Sequence, residues 1–257
     1  MLDRPDVNSS KDLYDKWHGS RAAGEQANSG SHLQPWHQTV LKLLPDLNDC
    51  DVLEIGCGRG DFALELARRF PRARIRGVDF SDQAIDIALK KSSDIGAPVE
   101  FSVADAQALP FEANAFDWIV SCECLEHVPS PSAMAREIFR MLRPEGRFIL
   151  TTENYFNGMV LGWLNCLLKG IAFDSGAGVQ PIEHFFLFFQ VRKILRRAGF
   201  SIQHMESNHF QWLLLPRVNP ARLCTEDVRS PILKRLFLPF GRHFTYLGQK
   251  PVDDLDK

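Results

Sequence analysis

The sequence predicts an α/β fold with a parallel sheet. The support comes from one strand–turn–helix stretch, from the alternation of strand-like and helix-like segments, and from the chain length. The stretch D-V-L-E-I-G-C-G-R-G at 51–60 joins a short apolar run to a glycine turn, and a helix-like segment follows at 61–70. An apolar run this short is typical of a buried parallel strand. Further strand-like and helix-like segments alternate along the chain, and 257 residues suit one such domain.

The composition is that of an ordinary globular protein with a full core. Hydrophobic residues make up 45% of the chain, charged residues 24%, and the formal net charge is -2. This balance provides no basic field that would collect nucleic acid, so we expect no DNA partner. The six cysteines form no C-x-x-C pair, and the first residues lack an apolar signal segment. Both features favour reduced thiols and a cytoplasmic location.

The glycine turn has a spacing that excludes two common phosphate-binding loops. Gly56, Gly58 and Gly60 stand at alternate positions and let the backbone approach a ligand closely. A dinucleotide fingerprint requires glycine where Asp61 stands, and the G-K-S/T of a Walker loop is absent. Glu54, inside the strand, would repel a pyrophosphate but suits a ligand with an ammonium group.

The pattern E-x-G-x-G-x-G resembles motif I of the class I S-adenosylmethionine (SAM) dependent methyltransferases, and the similarity extends over about residues 36–250. It implies a Rossmann-like fold: a seven-stranded, mostly parallel sheet with helices on both faces and a final antiparallel strand between strands five and six. The alternatives are a plain NAD-type Rossmann domain and a glycine turn without a ligand. The predicted strands are residues 52–55, 74–78, 99–103, 116–121, 147–151, 201–206 and 244–249. The predicted helices include residues 32–44, 61–70, 83–91 and 185–198.

Asp79 is the main candidate for binding the cofactor ribose. It ends the second predicted strand, nineteen residues after Gly60, where a carboxylate can accept both ribose hydroxyls. The alternative is a helix N-cap, a role that Ser81 or Asp82 could also fill. The resemblance implies that the cofactor, with S-adenosylhomocysteine as its product, contacts Glu54, Gly56, Cys57, Gly58, Gly60, Asp79, Phe80, Asp105, Ala106 and Cys122.

The segment S-C-E-C-L-E-H-V-P at 121–129 follows the fourth predicted strand and contains the candidate catalytic residues. Glu123, Glu126 and His127 have the spacing i, i+3 and i+4, which places three side chains on one face of a helical turn. Two carboxylates and an imidazole suit a divalent cation such as Mg, Mn, Fe or Zn.

This E-x-x-E-H resembles that of the ubiquinone-type O-methyltransferases and the small-RNA 2′-O-methyltransferases, whose later histidine matches His184. The resemblance therefore implies a metal site of Glu123, Glu126, His127 and His184. In the alternative interpretation, His127 is a metal-free general base and Glu126 only shapes the helix start. Glu123 and His127 are the predicted catalytic residues.

The predicted organisation is one methyltransferase domain at 31–250, between an N-terminal arm at 1–30 and a tail at 251–257. The arm contains one predicted helix near residues 13–17, in which Tyr14 and Trp17 either close over the cofactor or belong to a frayed terminus. Two apolar insertions, at about 155–182 and 210–243, form either a substrate cap or additional core. They are too broken to span a bilayer, but a peripheral membrane contact stays open.

The predicted function is O-methylation of a hydroxyl on a small or amphipathic acceptor, such as a secondary metabolite, a quinone or lipid, or a glycan. A metal would lower the pKa of the hydroxyl, whereas without one His127 would take its proton directly. The alternatives are an RNA 2′-O-methyltransferase, which the net charge of -2 disfavours, and a non-catalytic SAM-binding partner.

Overall fold

The computed structural model describes residues 11–16, 33–154, 162–170, 182–210, 230, 232–233, 236 and 238–252. Within this part of the chain, the strands are β1 (Asp51–Ile55), β2 (Arg74–Asp79), β3 (Val99–Val103), β4 (Phe116–Cys122), β5 (Leu142–Glu153), β6 (Ser201–Phe210) and β7 (Gly241–Gln249). The helices are α1 (11–16), α2 (Pro35–Leu43), α3 (Asp61–Arg69), α4 (Asp82–Ile95), α5 (Pro131–Met141), α6 (Gly162–Lys169) and α7 (Phe188–Arg197). Leu125–His127 and Leu238–Phe240 are short 3₁₀ turns.

The seven strands form one sheet in the order β3-β2-β1-β4-β5-β7-β6. β1 to β5 pair in parallel, and β7 pairs antiparallel with both β5 and β6. This arrangement confirms the predicted mostly parallel sheet with the last strand inserted between the fifth and sixth. The carboxyl ends of the parallel strands therefore meet at one edge, where ligands bind in such sheets.

Side chains of each strand alternate between two cores, one on each face of the sheet. On β1, Leu53 and Ile55 join the core beneath α5 and α7, whereas Val52 joins the core beneath α2, α3 and α4. β5 divides Phe148 and Ile149 between the two cores in the same way. Burial on both faces explains why these strands are continuous apolar runs, and it confirms the predicted helices on both faces.

Several element boundaries differ from the predicted ones. β5 begins at Leu142 instead of residue 147, because the chain passes directly from α5 into pairing with Phe116 before a register shift. β6 and β7 extend toward each other as far as the pair Phe210 and Gly241, so their ladder includes both ends of the predicted second insertion. α7 begins at Phe188, later than predicted.

The predicted arm includes helix α1, which docks beside the start of α4. Ser81 donates its hydroxyl to the carboxylate of Asp15, and Lys11 pairs with Asp82 at 2.7 Å. Trp17 lies outside the described residues, as does most of both predicted apolar insertions. The described part of the first insertion is α6, on which Trp163 and Leu168 are exposed. Among the described residues, no helix combines the length and the apolar character needed to cross a membrane.

Candidate active site

A cavity of about 640 Å³ opens at the carboxyl ends of the parallel strands, a size typical of small-molecule sites. Its two sides come from different parts of the chain. We call the first the β1 side, which consists of Glu54, the glycine loop, and the residues after β2 and β3. We call the second the β4 side, which consists of the lining residues Tyr14, Trp36, His37, Cys122, Glu123, Glu126, His127, Glu153, Ile182 and Glu183.

The glycine loop is held against β2 by main-chain hydrogen bonds. The amides of Gly56 and Cys57 both donate to the carbonyl of Val78, at 2.8 and 2.9 Å. Gly56 has φ +73, and a Cβ there would lie 2.6 Å from the Sγ of Cys124. The turn therefore needs glycine for its backbone angle and for its close contact with the β4 side.

Asp79 faces the cavity from the end of β2. Its carboxylate accepts the amide of Gly58 at 2.8 Å and the amide of Ser81 at 3.0 Å. The cap of α4 is Ser81, whose hydroxyl accepts the amide of Ala84 at 3.1 Å. The carboxylate of Asp79 therefore lines the cavity, and the N-cap interpretation of Asp79 is wrong.

Glu54 is the buried carboxylate of the β1 side. It is 2% exposed, it lines the cavity, and its Oε2 has no hydrogen-bond partner among the described residues. Burial, supported by the charge of Asp61, raises the pKa of Glu54 well above its usual range. An unpaired buried carboxylate is costly, and a ligand ammonium group would compensate for it.

Most of the other predicted cofactor residues line the cavity, and Gly60 packs against the core. Cys57, Phe80, Asp105, Ala106 and Cys122 all line the cavity. Gly60 is not among the described lining residues, and a Cβ there would lie 2.7 Å from the ring of Phe101. Gly60 lets α3 begin against the core, at φ +78, and its contact with the cofactor stays a prediction.

The turn after β4 does not have the helical geometry that its spacing predicts. Glu123 has φ +50, and the 3₁₀ turn that follows includes only residues 125–127. Glu123 therefore precedes the 3₁₀ turn and does not belong to the helical turn that its spacing predicts. Its carboxylate accepts Nδ1–H of His243 at 3.0 Å, whereas that of Glu126 accepts the hydroxyl of Thr152 at 3.0 Å.

The two histidines of the predicted metal set bond to main-chain carbonyls. His127 Nδ1 lies 2.9 Å from the carbonyl oxygen of Ile182, and His184 Nε2 lies 2.9 Å from that of Val128. His184 is not among the described lining residues. The predicted four-residue metal site of Glu123, Glu126, His127 and His184 is therefore not formed. The described group that brings three potential metal ligands within 4.8 Å of one another is Glu123, Glu153 and His243.

His127 has the protonation state of a general base. A carbonyl oxygen only accepts hydrogen bonds, so the neutral ring carries its proton on Nδ1 and a lone pair on Nε2. Burial lowers the pKa of His127, against the opposing effect of the Ile182 bond, so the ring is neutral near pH 7. His127 also lines the cavity.

The two glutamates of the β4 side differ in their protonation. Burial, and to a lesser extent the charge of Glu123, raises the pKa of Glu126 well above its usual range. Burial also opposes ionisation of Glu123, but the charge and hydrogen bond of His243 outweigh it and lower the pKa of Glu123. Glu123 is therefore the ionised member of this pair, held by His243.

The sequence interpretation missed several residues of the β4 side. Trp36, which lies in the predicted helix at 32–44, lines the cavity and packs on the ring of His243 at 5.0 Å. His37, Glu153 and Glu183 were not singled out. The rule that ligands bind beyond the ends of parallel strands could have identified Glu153, the last residue of β5. Nothing local marks His243 or Glu183, which come from distant segments.

The described cysteines do not form disulfides. Cys50, Cys57, Cys122, Cys124 and Cys166 are free thiols. Burial raises the pKa of the Cys57 and Cys122 thiols well above their usual range, so these two residues contribute shape and main-chain atoms to the cavity, not thiolate chemistry.

Residues 52–146 match a family described as a methyltransferase domain. The demethylmenaquinone methyltransferase of Lactococcus lactis subsp. lactis (strain IL1403) is 33% identical over 116 residues, which cover 44% of this chain and 46% of that protein. The ubiquinone/menaquinone biosynthesis C-methyltransferase UbiE of Rickettsia akari (strain Hartford) is 31% identical over 187 residues, 65% of this chain and 74% of that protein. The chain belongs to the class I SAM-dependent methyltransferases.

The fold of this methyltransferase is also found in solved structures. Phosphoethanolamine N-methyltransferase 2 of Haemonchus contortus, in complex with SAM, matches with a TM-score of 0.67 and 21% identity, over 94% of this chain and 60% of that chain. At this identity the likeness shows the fold alone. The chain spans less than half the length of the Lactococcus relative, and the named quinone-pathway relative is a C-methyltransferase, so the comparisons do not support the predicted O-methylation.

Proposed function

We propose that this methyltransferase transfers the methyl group of SAM to a hydroxyl oxygen of a small or amphipathic acceptor. The observation that carries the proposal is His127: a neutral imidazole with a free Nε2 at the cavity, beside the glycine loop. Methylation of a hydroxyl oxygen requires loss of its proton, and this ring is prepared to take it.

The β1 side suits SAM. The unpartnered Oε2 of Glu54 would accept the ammonium of the methionine part, and the carboxylate of Asp79 would accept the ribose hydroxyls. Asp105 and the amide of Ala106 would receive the adenine, with Phe80 against its ring. When bound, SAM supplies an electrophilic methyl on a sulfonium and leaves as S-adenosylhomocysteine.

The β4 side positions the acceptor and removes its proton. Nε2 of His127 accepts the hydroxyl proton while the Ile182 carbonyl holds the ring orientation through Nδ1. Glu123, predicted as catalytic, binds His243, so we assign it a positioning role in the wall of the cavity. The proton moves to the ring as the oxygen gains its methyl, so the oxygen remains neutral at the end of the step.

C-methylation is the second candidate, because the quinone-pathway relative is a C-methyltransferase. The same base would deprotonate a phenol, whose negative charge extends to a ring carbon. The acid-lined cavity disfavours an RNA acceptor, because carboxylates such as Glu123 and Glu153 would repel phosphates. The presence of both the cofactor residues and a base disfavours a non-catalytic partner.

Three other expectations stay part of the proposal: one methyltransferase domain at 31–250, apolar insertions that cap the substrate, and a cytoplasmic location. The exposed Trp163 and Leu168 on α6 support the cap, because large apolar side chains in the open suit contact with an amphipathic acceptor.

The test is methyl transfer from isotope-labelled SAM to a fractionated pool of hydroxyl compounds, with product analysis by mass spectrometry and NMR. We expect a methyl ether, whereas a new methyl on a ring carbon would replace O-methylation by the second candidate. His127→Ala should lose transfer but still bind S-adenosylhomocysteine. Failure of the wild-type protein to bind S-adenosylhomocysteine would contradict the proposal as a whole.

A further inference from the structure

The β4 side has more carboxyl groups than methyl transfer to a neutral hydroxyl requires. Four glutamates line it: Glu123, Glu126, Glu153 and Glu183. Two of them contact basic side chains, because Glu123 accepts Nδ1–H of His243 at 3.0 Å and Glu153 pairs with Arg242 at 3.2 Å.

Glu126 is different from these two residues. It is 3% exposed and lines the cavity, and its Oε2 accepts the hydroxyl of Thr152, which is neutral. Its Oε1 is buried without a hydrogen-bond partner among the described residues. A buried carboxylate oxygen without a donor costs free energy unless the group is protonated or a ligand supplies the donor.

Cationic side chains are scarce among the described residues that line the cavity. Arg59, in the glycine loop on the β1 side, is the single lysine or arginine among the described lining residues. His37 and His127 also line the cavity, but burial lowers the pKa of both, to about 4 for His37, so neither is charged near pH 7. Burial therefore keeps Glu126 protonated in the free protein, and a cationic ligand at its unpartnered oxygen would favour the ionised form.

We propose that the acceptor is an alcohol or phenol that also carries an amine, and that its ammonium group binds beside Glu126 while its hydroxyl lies near His127. This inference rests on the proposed function and names its substrate class. An ammonium donates to the unpartnered Oε1 and stabilises the ionised form of Glu126, two effects that a neutral hydroxyl cannot combine. The rings of Tyr14 and Trp36 line the same side and provide faces that attract a cation.

Three phenols that differ at one end of the molecule provide the test. Tyramine ends in an ammonium group, tyrosol has a hydroxyl at the same position, and 4-hydroxyphenylacetate ends in a carboxylate. Binding of each is measured by ligand-observed NMR and calorimetry on full-length protein saturated with S-adenosylhomocysteine. Binding is therefore observed without turnover.

We expect tyramine to bind at least about tenfold more tightly than tyrosol, and 4-hydroxyphenylacetate to bind more weakly than both. Glu126→Gln, which keeps the shape of the side chain, should remove the preference for tyramine. The matched control is Glu112→Gln, at an exposed position that is not among the described lining residues, and it should keep the preference.

Three results would overturn the inference: tyrosol binding as tightly as tyramine, 4-hydroxyphenylacetate binding most tightly, or no tyramine binding up to about 10 mM. The relative affinities of the three phenols for the wild-type protein test the proposed preference for an amine even if Glu126→Gln does not fold. Loss of S-adenosylhomocysteine binding would contradict the proposed function instead, so the two failures are distinguishable.

Discussion

The β1 side and the β4 side of the cavity are built in opposite ways. The β1 side comes from one stretch of the chain, residues 54–107, and main-chain amides satisfy part of it, as the two bonds to Asp79 show. The β4 side collects side chains from α1, α2, the turn after β4, the end of β5 and residues 182–183. A cofactor shared by many enzymes can be bound by a local motif, whereas an acceptor is selected by side chains that tertiary packing brings together.

The two sides also differ in backbone strain. The glycine loop adopts positive φ at residues that tolerate it, whereas Glu123 adopts φ +50 with a full side chain. Such a conformation is retained only where the surrounding structure holds it, here through His243 and the β5 contacts of the turn. Substitutions on the β4 side should therefore mainly lower the catalytic rate, whereas substitutions on the β1 side should mainly weaken cofactor binding.

The largest effect is expected from His127→Ala. Loss of a general base typically lowers the rate by a factor of about 10² to 10⁴, and SAM affinity should change little because the β1 side is intact. Steady-state kinetics with any identified acceptor, together with SAM calorimetry, measures both. His184→Ala is the matched control, because His184 is not among the described lining residues. An equal loss of activity in both variants would contradict the assignment of His127 as the base.

Asp79→Ala should act on the other side of the cavity. We expect SAM binding to weaken by about 1–3 kcal/mol, because charge-assisted hydrogen bonds to the ribose are lost. Asp82→Ala removes a nearby exposed carboxylate of α4 that pairs with Lys11, and should leave SAM affinity within about 0.5 kcal/mol. Calorimetry of SAM binding to the folded variants separates them, and an unchanged Kd for Asp79→Ala would remove this residue from the site.

His37 provides a pH test of the β4 side. Burial lowers its pKa from the ordinary 6.5 to about 4, and its Nδ1 accepts the amide of Gln34 at 3.1 Å. The folded protein therefore keeps this ring neutral while the unfolded chain takes up a proton. Its contribution to stability is complete above pH 6.5 and is lost as the pH falls toward 4.

The measurement is denaturant unfolding of the wild type and of His37→Gln between pH 7 and pH 4. Glutamine at this position can still accept the Gln34 amide, as in a capping box. We expect the wild type to lose about 1–2 kcal/mol more than the variant across this range. Parallel pH curves would show that His37 is accessible to protons in the folded state.

The smallest effect is expected from Tyr14→Phe. The Tyr14 hydroxyl donates to the carbonyl of His127 at 3.2 Å and so ties α1 to the β4 side. Its loss should weaken the docking of α1 by about 0.5–1.5 kcal/mol, observed as faster amide exchange in residues 11–16. Leu13→Ala, at a side chain that is 47% exposed, should have less effect. Faster exchange in Leu13→Ala than in Tyr14→Phe would assign the docking to apolar contact.

Several features of the fold were predictable because they depend on short-range patterns. The glycine loop, the β3 bounds and the place of the last strand all agree with the prediction. The predicted metal set failed because sequence spacing describes an ideal helical turn, whereas Glu123 lies outside the turn in a left-handed conformation. The bonds of His127 and His184 to main-chain carbonyls were not predictable, because their partners belong to segments about 55 residues away along the chain.

The sequence by itself determined the class I methyltransferase fold and most residues of the β1 side, because a buried strand, a glycine turn and a carboxylate at the next strand end are local and contiguous. Only the tertiary structure decided the β4 side. There the protonation of His127, the pairing of Glu123 with His243 and the unpartnered oxygen of Glu126 depend on burial and on residues that packing brings from remote segments. Burial and remote partners set charge and hydrogen bonding, and neither can be obtained from spacing along the chain.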